Sequence, residues 1–155
     1  NYLIENIFRR TKMKQKPIIG FTTGVFDLFH IGHLNMLRNA SSLCDKLIVG
    51  VTTDELVSYK GKEAIIPFLE RMEIVRSISY VDAVVAQADM DKMKLYKKLK
   101  FDVMFVGDDW FDSEKWNQFD KDFKEVGVKI IYFPYTQGTS STLINEILAT
   151  KRDSL

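Results

Sequence analysis

Short apolar segments alternate with helical patterns along this chain, and that alternation is the feature that most limits its fold. The apolar segments span residues 18–22, 47–51, 81–85, 103–106 and 128–133. They are short and rich in Val, Ile and Phe, as buried parallel strands usually are. Residues between them, and after the last of them, place apolar side chains on one helical face. Five such alternations predict a single doubly wound α/β domain with a five-stranded parallel sheet, similar to a Rossmann fold.

Composition narrows the class of protein further. The 155 residues suit one domain, and 46% of them are hydrophobic, which is enough for a core without disulfides. Lysine and arginine number 22 against 21 acidic residues, so no bulk positive field favours nucleic acid as a partner. The one cysteine fits a reducing compartment and predicts a cytoplasmic protein. No apolar run approaches the roughly 20 residues of a membrane span.

The ends of the chain differ from its middle. Residues 1–16 combine a few apolar residues with a basic stretch, without the order of a signal peptide. We interpret them either as an arm that contacts a partner subunit or as a remnant before a natural start at Met13. The domain itself is expected over residues 17–150, with 151–155 as a tail.

Ligands of doubly wound sheets bind beyond the carboxyl ends of the strands. The loops there are expected at 23–33, 52–67, 107–116 and 134–141. In the first loop His30 and His33, the only histidines, lie three residues apart where a strand runs into a helix. The free N–H groups of that helix start suit a phosphate, Gly32 permits close approach, and both imidazoles can donate to phosphate oxygens. The alternatives are two surface histidines that cap a helix or, less favoured, a zinc site.

The other three loops also carry polar groups that suit a nucleotide. Lys60 and Lys62 flank a glycine and can reach around a polyphosphate, although a solvated basic turn would look the same. Asp108 and Asp109 follow the fourth strand, where carboxylates can accept from ribose hydroxyls or help to hold hydrated Mg²⁺, or can form an Asx turn. Residues 136–142 place hydroxyls and N–H groups at a helix start, which is an anion cradle or an ordinary Ser cap.

Together these loops resemble the nucleotidyltransferase superfamily with the His-x-Gly-His signature, and most closely the glycerol-3-phosphate cytidylyltransferase type. The segment 24–33 reads Gly-Val-Phe-Asp-Leu-Phe-His-Ile-Gly-His, and 53–55 reads Thr-Asp-Glu. Further matches are the lysine pair, Arg71, Tyr-Val-Asp at 80–82, Gly-Asp-Asp-Trp at 107–110 and the segment 135–142. Each piece is common alone, but the ordered set at the expected loops is specific. The resemblance covers roughly residues 18–149.

The resemblance implies transfer of CMP from CTP to a small phosphorylated alcohol, by default glycerol 3-phosphate, with release of pyrophosphate. It implies His30, His33, Lys60 and Lys62 as catalytic residues, with no covalent intermediate and no metal held by the protein itself. Mg²⁺ would arrive with CTP, the protein would be a homodimer with 80–82 near the interface, and the CDP product would serve a cell-surface polymer. The nucleotide-binding residues it implies are Thr23, Gly24, Phe26, Asp27, Gly32, Arg71, Gly107, Asp108, Asp109, Tyr135, Thr136, Gly138, Thr139, Ser140, Ser141 and Thr142.

Two departures from the usual sequence of the family leave the identity of the acceptor open. Ser79 and Tyr135 stand where the family usually has arginines. A lysine or arginine from elsewhere can replace the lost cations, or the acceptor can be phosphocholine, phosphoethanolamine or a sugar or polyol phosphate. An adenylyltransferase is a rival, but its usual Ser/Thr-x-x-Arg at the last helix is absent. A nucleotide-binding module without catalysis is the rival from another class.

Overall fold

A computed structural model of the chain describes residues 16–107, 113–134 and 136–153. In those ranges five strands form one parallel sheet in the order β3-β2-β1-β4-β5. The strands are β1 (Ile19–Gly24), β2 (Lys46–Thr52), β3 (Ala83–Gln87), β4 (Val103–Gly107) and β5 (Lys129–Phe133). The prediction of a doubly wound, five-stranded parallel sheet is confirmed.

Helices connect the strands and cover both faces of the sheet. Within the described ranges they are α1 (Ile31–Ser41), α2 (Asp54–Tyr59), α3 (Phe68–Arg76), α4 (Lys92–Leu99), α5 (Glu114–Glu125) and α6 (Ser141–Asp153). The last helix runs three residues past the domain end expected at 150. None of these helices is long and apolar enough to cross a membrane.

Alternation of side chains along the strands builds a core on each face. On one face Val49, Val51 and Phe105 pack with Leu37 of α1 and Val75 of α3. On the other face the core is formed by Phe21 and Met104 of the sheet, Phe101, and Trp116 and Phe123 of α5. The two halves of the fold therefore wind in opposite directions from β1 and β4, and a crevice opens between the carboxyl ends of these two strands.

Two elements differ from the sequence-based expectation. The strand expected at 81–85 begins two residues later, because the N–H of Val81 closes a turn with the carbonyl of Ile78 and Asp82 bonds with Leu47 before the ladder starts. The six-residue helix α2 was not expected. Thr53 caps it through a bond from the N–H of Leu56, and two carboxylates in its first turn suit the helix dipole.

Candidate active site

The loop between β1 and α1 is held in an unusual conformation by its own polar groups. Phe26 and Leu28 have positive φ angles of 54° and 47°, which non-glycine residues adopt only when the surroundings enforce them. The Asp27 carboxylate accepts the N–H groups of Ile65 and Ile66, both at 2.9 Å. Asp27 thereby ties this loop to the segment before α3, and the phenyl ring of Phe26 turns into the core.

The two histidines accept backbone N–H groups through the same ring nitrogen. Nδ1 of His30 accepts the N–H of Gly32 at 3.0 Å, and Nδ1 of His33 accepts the N–H of His30 at 3.3 Å. A nitrogen that accepts a hydrogen bond carries no proton, so each neutral imidazole has its proton on Nε2. The start of α1 therefore presents two Nε2–H donors, each fixed in its tautomer by the helix backbone.

Packing keeps this pair neutral. The two rings stack with centroids 3.9 Å apart, and His33 also contacts Phe26 and Phe29. Burial, together with the neighbouring His30, lowers the pKa of His33 to about 4, and burial also lowers the pKa of His30. At neutral pH the pair offers hydrogen bonds without a net charge, which suits stabilisation of charge that develops on a phosphate.

Gly32 is required by this arrangement for reasons of space. A Cβ atom at this position would lie 2.8 Å from Cε1 of His30 and 3.0 Å from its Nδ1. Any side chain there would push the His30 ring away from the helix start.

The start of α6 lies beside the start of α1. Ser141 donates its hydroxyl to the carbonyl of Asp27, and the Ser140 hydroxyl caps α6 by accepting the N–H of Leu143 at 3.0 Å. Thr136 accepts from the amide of Asn35 on α1 at 3.1 Å. Two helix N-termini therefore converge, and their N–H groups and dipoles favour an anion between them.

Arg71 is part of the framework beneath the site. Its side chain is fully buried, and its guanidinium donates to the carbonyls of Val25 at 2.6 Å, Thr52 at 2.8 Å and Ile66 at 2.8 Å. It also pairs with Asp54 at 2.6 Å. These bonds join three loops at the carboxyl edge of the sheet, so Arg71 holds these loops in position. The nucleotide contact that the resemblance implies stays a prediction.

Among the described residues, four lysines line the same cavity: Lys60, Lys62, Lys92 and Lys115. Lys60 is the residue that caps the C-terminal end of α2, and burial together with the ammonium groups of Lys115 and Lys62 lowers its pKa. Lys92 is only 8% exposed, donates to the Thr23 hydroxyl at 3.3 Å and lies 5.6 Å from the centre of the Trp116 ring. Burial, with Lys60 and Lys115 nearby, lowers the pKa of Lys92 to about 8.

The cavity encloses about 690 Å³ at the carboxyl end of the sheet, at the switch point expected for a ligand. Of the residues expected at the site, those that line it are Thr23, Gly24, Phe26, His30, Gly32, His33, Lys60, Lys62, Gly107, Thr136, Thr139, Ser140 and Ser141.

Four of the expected site residues do not line this cavity. Asp27 and Arg71 are used in the loop framework just described. Gly138 forms a turn with a φ of 81°, and Thr142 is exposed on the first turn of α6. The remaining three, Asp108, Asp109 and Tyr135, lie outside the described residues, as do residues 1–15 of the expected arm.

Sequence reasoning missed Lys92 and Lys115. Lys92 opens the helix after β3, and the loop after β3 is not among the loops expected to bind a ligand. Lys115 lies within the loop expected at 107–116, but nothing in its neighbours marks it out. The usable signal is position, since a basic residue in the connection after any parallel strand lies at the ligand-binding edge.

Comparison with known proteins agrees with this geometry. The model of the family described as "Cytidylyltransferase-like" matches residues 21–147. Glycerol-3-phosphate cytidylyltransferase of Bacillus subtilis (strain 168) is 35% identical over 129 residues, which is 83% of this chain and 95% of that protein. FAD synthase of Thermococcus kodakarensis is 34% identical over 146 residues, covering 88% of this chain and 96% of that protein.

A solved structure shares the fold. The lipopolysaccharide core biosynthesis protein from Thermoplasma volcanium GSS1 superposes with a TM-score of 0.67 at 24% identity, over 80% of this chain and 100% of that one. The family model spans most of the sheet and both helix starts of the site. The chain therefore belongs to the cytidylyltransferase-like family and is a nucleotidyltransferase.

Proposed function

We propose that the protein transfers CMP from CTP to the phosphate of a small alcohol phosphate, giving a CDP-alcohol and pyrophosphate. The observation that carries this proposal is the stacked pair His30 and His33, whose Nε2–H donors stand at the convergence of α1 and α6. Neutral N–H donors beside two helix dipoles suit a phosphate that gains charge during displacement.

The chemistry needs positioning more than acid–base catalysis. A phosphate oxygen of the acceptor attacks the α-phosphorus of the nucleotide in line, and the bond to the bridging oxygen of the β-phosphate breaks. His30 and His33 donate to the α-phosphate oxygens as charge builds there. The N-terminus of α6, with Thr139 and Ser140, receives the outer phosphates that leave as pyrophosphate.

The choice of nucleotide is the first point to test. Cytidylyltransferase relatives support CTP, and so does the Gly-Val-Phe-Asp segment before the histidines. The second candidate is adenylyl transfer, because an FAD synthase aligns over 88% of the chain and FAD contains adenine. The same histidine pair and helix starts would serve either nucleotide.

The choice of acceptor is the second point. Glycerol 3-phosphate is the default, because relatives with that specificity align over most of the chain. Phosphocholine, phosphoethanolamine and sugar or polyol phosphates are the alternatives, since Ser79 replaces a family arginine. Arg38 donates to the hydroxyl of Tyr80 at 3.2 Å and to Asn35 at 3.1 Å, so a guanidinium from α1 lies next to the altered segment.

Mg²⁺ belongs to this proposal as part of the nucleotide substrate. Among residues 16–107, 113–134 and 136–153, no three His, Cys, Asp or Glu side chains come together to hold a metal. Mg²⁺ commonly keeps several of its waters and binds through substrate phosphates. A homodimer, a cytoplasmic location and a role of the CDP product in a cell-surface polymer are further parts of the proposal.

The proposal is tested by measuring pyrophosphate release with Mg²⁺ and either CTP or ATP against the acceptors named above. Product masses then identify the adduct. We expect a CDP adduct with one phosphate monoester and little product from ATP. An adenylyl adduct of any of these acceptors would favour the second candidate. If no phosphate monoester accepts a nucleotide from either donor, the proposal fails.

A further inference from the structure

Helix α6 carries an apolar face with little cover. Leu143, Ile147 and Leu148 are 39%, 47% and 46% exposed. Together with the half-buried Ile144 they occupy positions i, i+1, i+4 and i+5, which form one stripe along the helix. Apart from Ser141 and Ile144, every residue of α6 whose burial is described is exposed.

This helix needs more contacts than the described residues give it. A helix of 13 residues is marginal in water by itself, so packing of its apolar face must supply most of its stability. Three of the four side chains on that face are exposed, and they are neighbours on the helix, so they form a contiguous apolar patch. The start of α6 also contributes Ser140 and Ser141 to the cavity, so a contact that supports α6 supports the candidate site as well.

The N-terminal segment, residues 1–15, has a sequence that fits this face. The segment lies outside the described residues, and its sequence places four apolar residues at the same i, i+1, i+4 and i+5 spacing: Leu3, Ile4, Ile7 and Phe8. On a helix these residues would share one face, as the apolar residues of α6 do. The family model matches residues 21–147, so the segment lies outside the part of the chain that the family model describes.

The described part of the chain begins close enough for the segment to reach α6. Ile18 lies just beyond the end of α1, where its N–H donates to the Asp45 carboxylate at 2.7 Å and its carbonyl accepts the N–H of Asp45 at 2.8 Å. The 11 residues of α1 span about 17 Å, and α6 begins beside the opposite end of α1. Residues 9–16 connect the apolar pattern to this point and can extend over about 26 Å, so residues 3–8 can reach α6.

Other occupants of this face are less well placed. The internal stretches outside the described residues, 108–112 and 135, contain five residues and one residue, which is too little to cover a helix of more than three turns. A second copy of the chain would compete with a segment tethered to the same molecule by a short connection. Such a tether gives an effective concentration in the mM range, which favours the segment over a second copy.

We propose that residues 1–8 form an amphipathic helix that packs on the apolar face of α6 in the same molecule. The apolar stripe of the segment covers Leu143, Ile147 and Leu148, and the basic residues within 9–16 stay in water as the connection. The docked segment thereby holds α6 against the domain. This contact goes beyond the proposed function and does not depend on it.

Amide hydrogen exchange of the full chain tests the contact. Ile7→Glu places a charge within the apolar stripe of the segment, and the amides of α6 should then exchange at least about 10-fold faster, because loss of one buried Ile side chain weakens a contact by about that factor or more. The matched control is Asn6→Glu, which adds the same charge outside the stripe and should leave α6 unchanged. The amides of β2 and β4 should stay protected in both variants, which shows that the domain remains folded.

The reciprocal change is made in α6. Ile147→Glu should speed the exchange of amides in the N-terminal segment, because it removes the surface on which the segment packs. Asn145→Glu adds the same charge on the polar side of α6 and should leave the exchange of the segment as it is in the wild type.

A mixture of the two stripe variants separates a contact within one molecule from a contact between two copies. Ile7→Glu keeps an intact α6, and Ile147→Glu keeps an intact N-terminal segment, so a contact between copies would restore cover when the chains are refolded together. With only the Ile7→Glu chain labelled with ¹⁵N, we expect its α6 amides to exchange as fast in the mixture as alone. Restored protection of these amides would overturn the proposal, and so would wild-type exchange of α6 in the Ile7→Glu variant by itself.

Discussion

Replacement of Arg71 by methionine tests whether this side chain holds the loops at the carboxyl edge of the sheet together or binds the nucleotide. The change leaves three carbonyls, those of Val25, Thr52 and Ile66, without their donor. An unsatisfied buried group costs about 1–3 kcal/mol, and two of these carbonyls lie in loops where water can reach them in part. The pair with Asp54 adds little, because half of that carboxylate side chain is exposed. The free energy of unfolding should therefore fall by about 3–5 kcal/mol, a large share of the roughly 5–15 kcal/mol of a typical domain.

Equilibrium unfolding in urea measures this loss. With a slope of about 2 kcal/mol per molar urea, the midpoint of Arg71→Met should fall by about 2 M. The control is Arg76→Met on the same helix, whose partner Glu73 is exposed, and its midpoint should shift by no more than about 0.5 M. If Arg71→Met keeps the wild-type midpoint and instead loses affinity for CTP, Arg71 contacts the nucleotide and the framework role is wrong.

Two further predictions concern the histidine loop. Gly32→Ala should lower kcat about 10- to 100-fold, because the new Cβ displaces the His30 ring. Its Tm should stay constant or rise, because alanine favours the helix. Normal turnover of Gly32→Ala would show that the position of the His30 ring is unimportant. Acidification should destabilise the protein, because the pKa of His33 is about 4 when folded and near 6.5 when unfolded, so the unfolded state binds the proton first. The contribution of the neutral His33 ring to the free energy of unfolding is complete above pH 6.5 and is lost as the pH falls to about 4. It amounts to on the order of 3 kcal/mol. Urea midpoints of His33→Asn should lack this part of the pH dependence, and an identical pH profile in both proteins would contradict the assignment.

Much of the fold follows from periodicity alone. Segments such as 47–51 and 103–106 are almost wholly apolar, because both faces of a central parallel strand are buried, and such segments were located to within a residue or two. β3 was misplaced because Val81 is apolar yet belongs to a turn that closes on Ile78. Helix α2 was missed because six residues are too few to show a helical period.

The site was only partly predictable for a different reason. Motifs placed His30, His33, Lys60 and Lys62 correctly at the carboxyl edge, since residues directly after β1 and close to the end of β2 have little freedom to lie elsewhere. The role of Arg71 depends on three carbonyls that are 5, 19 and 46 residues away in the chain. Contacts of that range are created by the strand order, and no local pattern encodes them.

In the proposed mechanism His30 and His33 donate Nε2–H groups to the transferring phosphate, while their Nδ1 atoms accept backbone N–H groups at the start of α1. Asparagine separates the two roles, because its side-chain oxygen can accept the same backbone N–H but no donor remains at the Nε2 position. The measurement is kcat of His30→Asn and His33→Asn with Mg²⁺, CTP and the acceptor, alongside the Tm of each variant. We expect kcat to fall about 10²-fold or more in each variant, with Tm within a few degrees of wild type. Wild-type kcat in both folded variants would contradict the donor role of the two histidines.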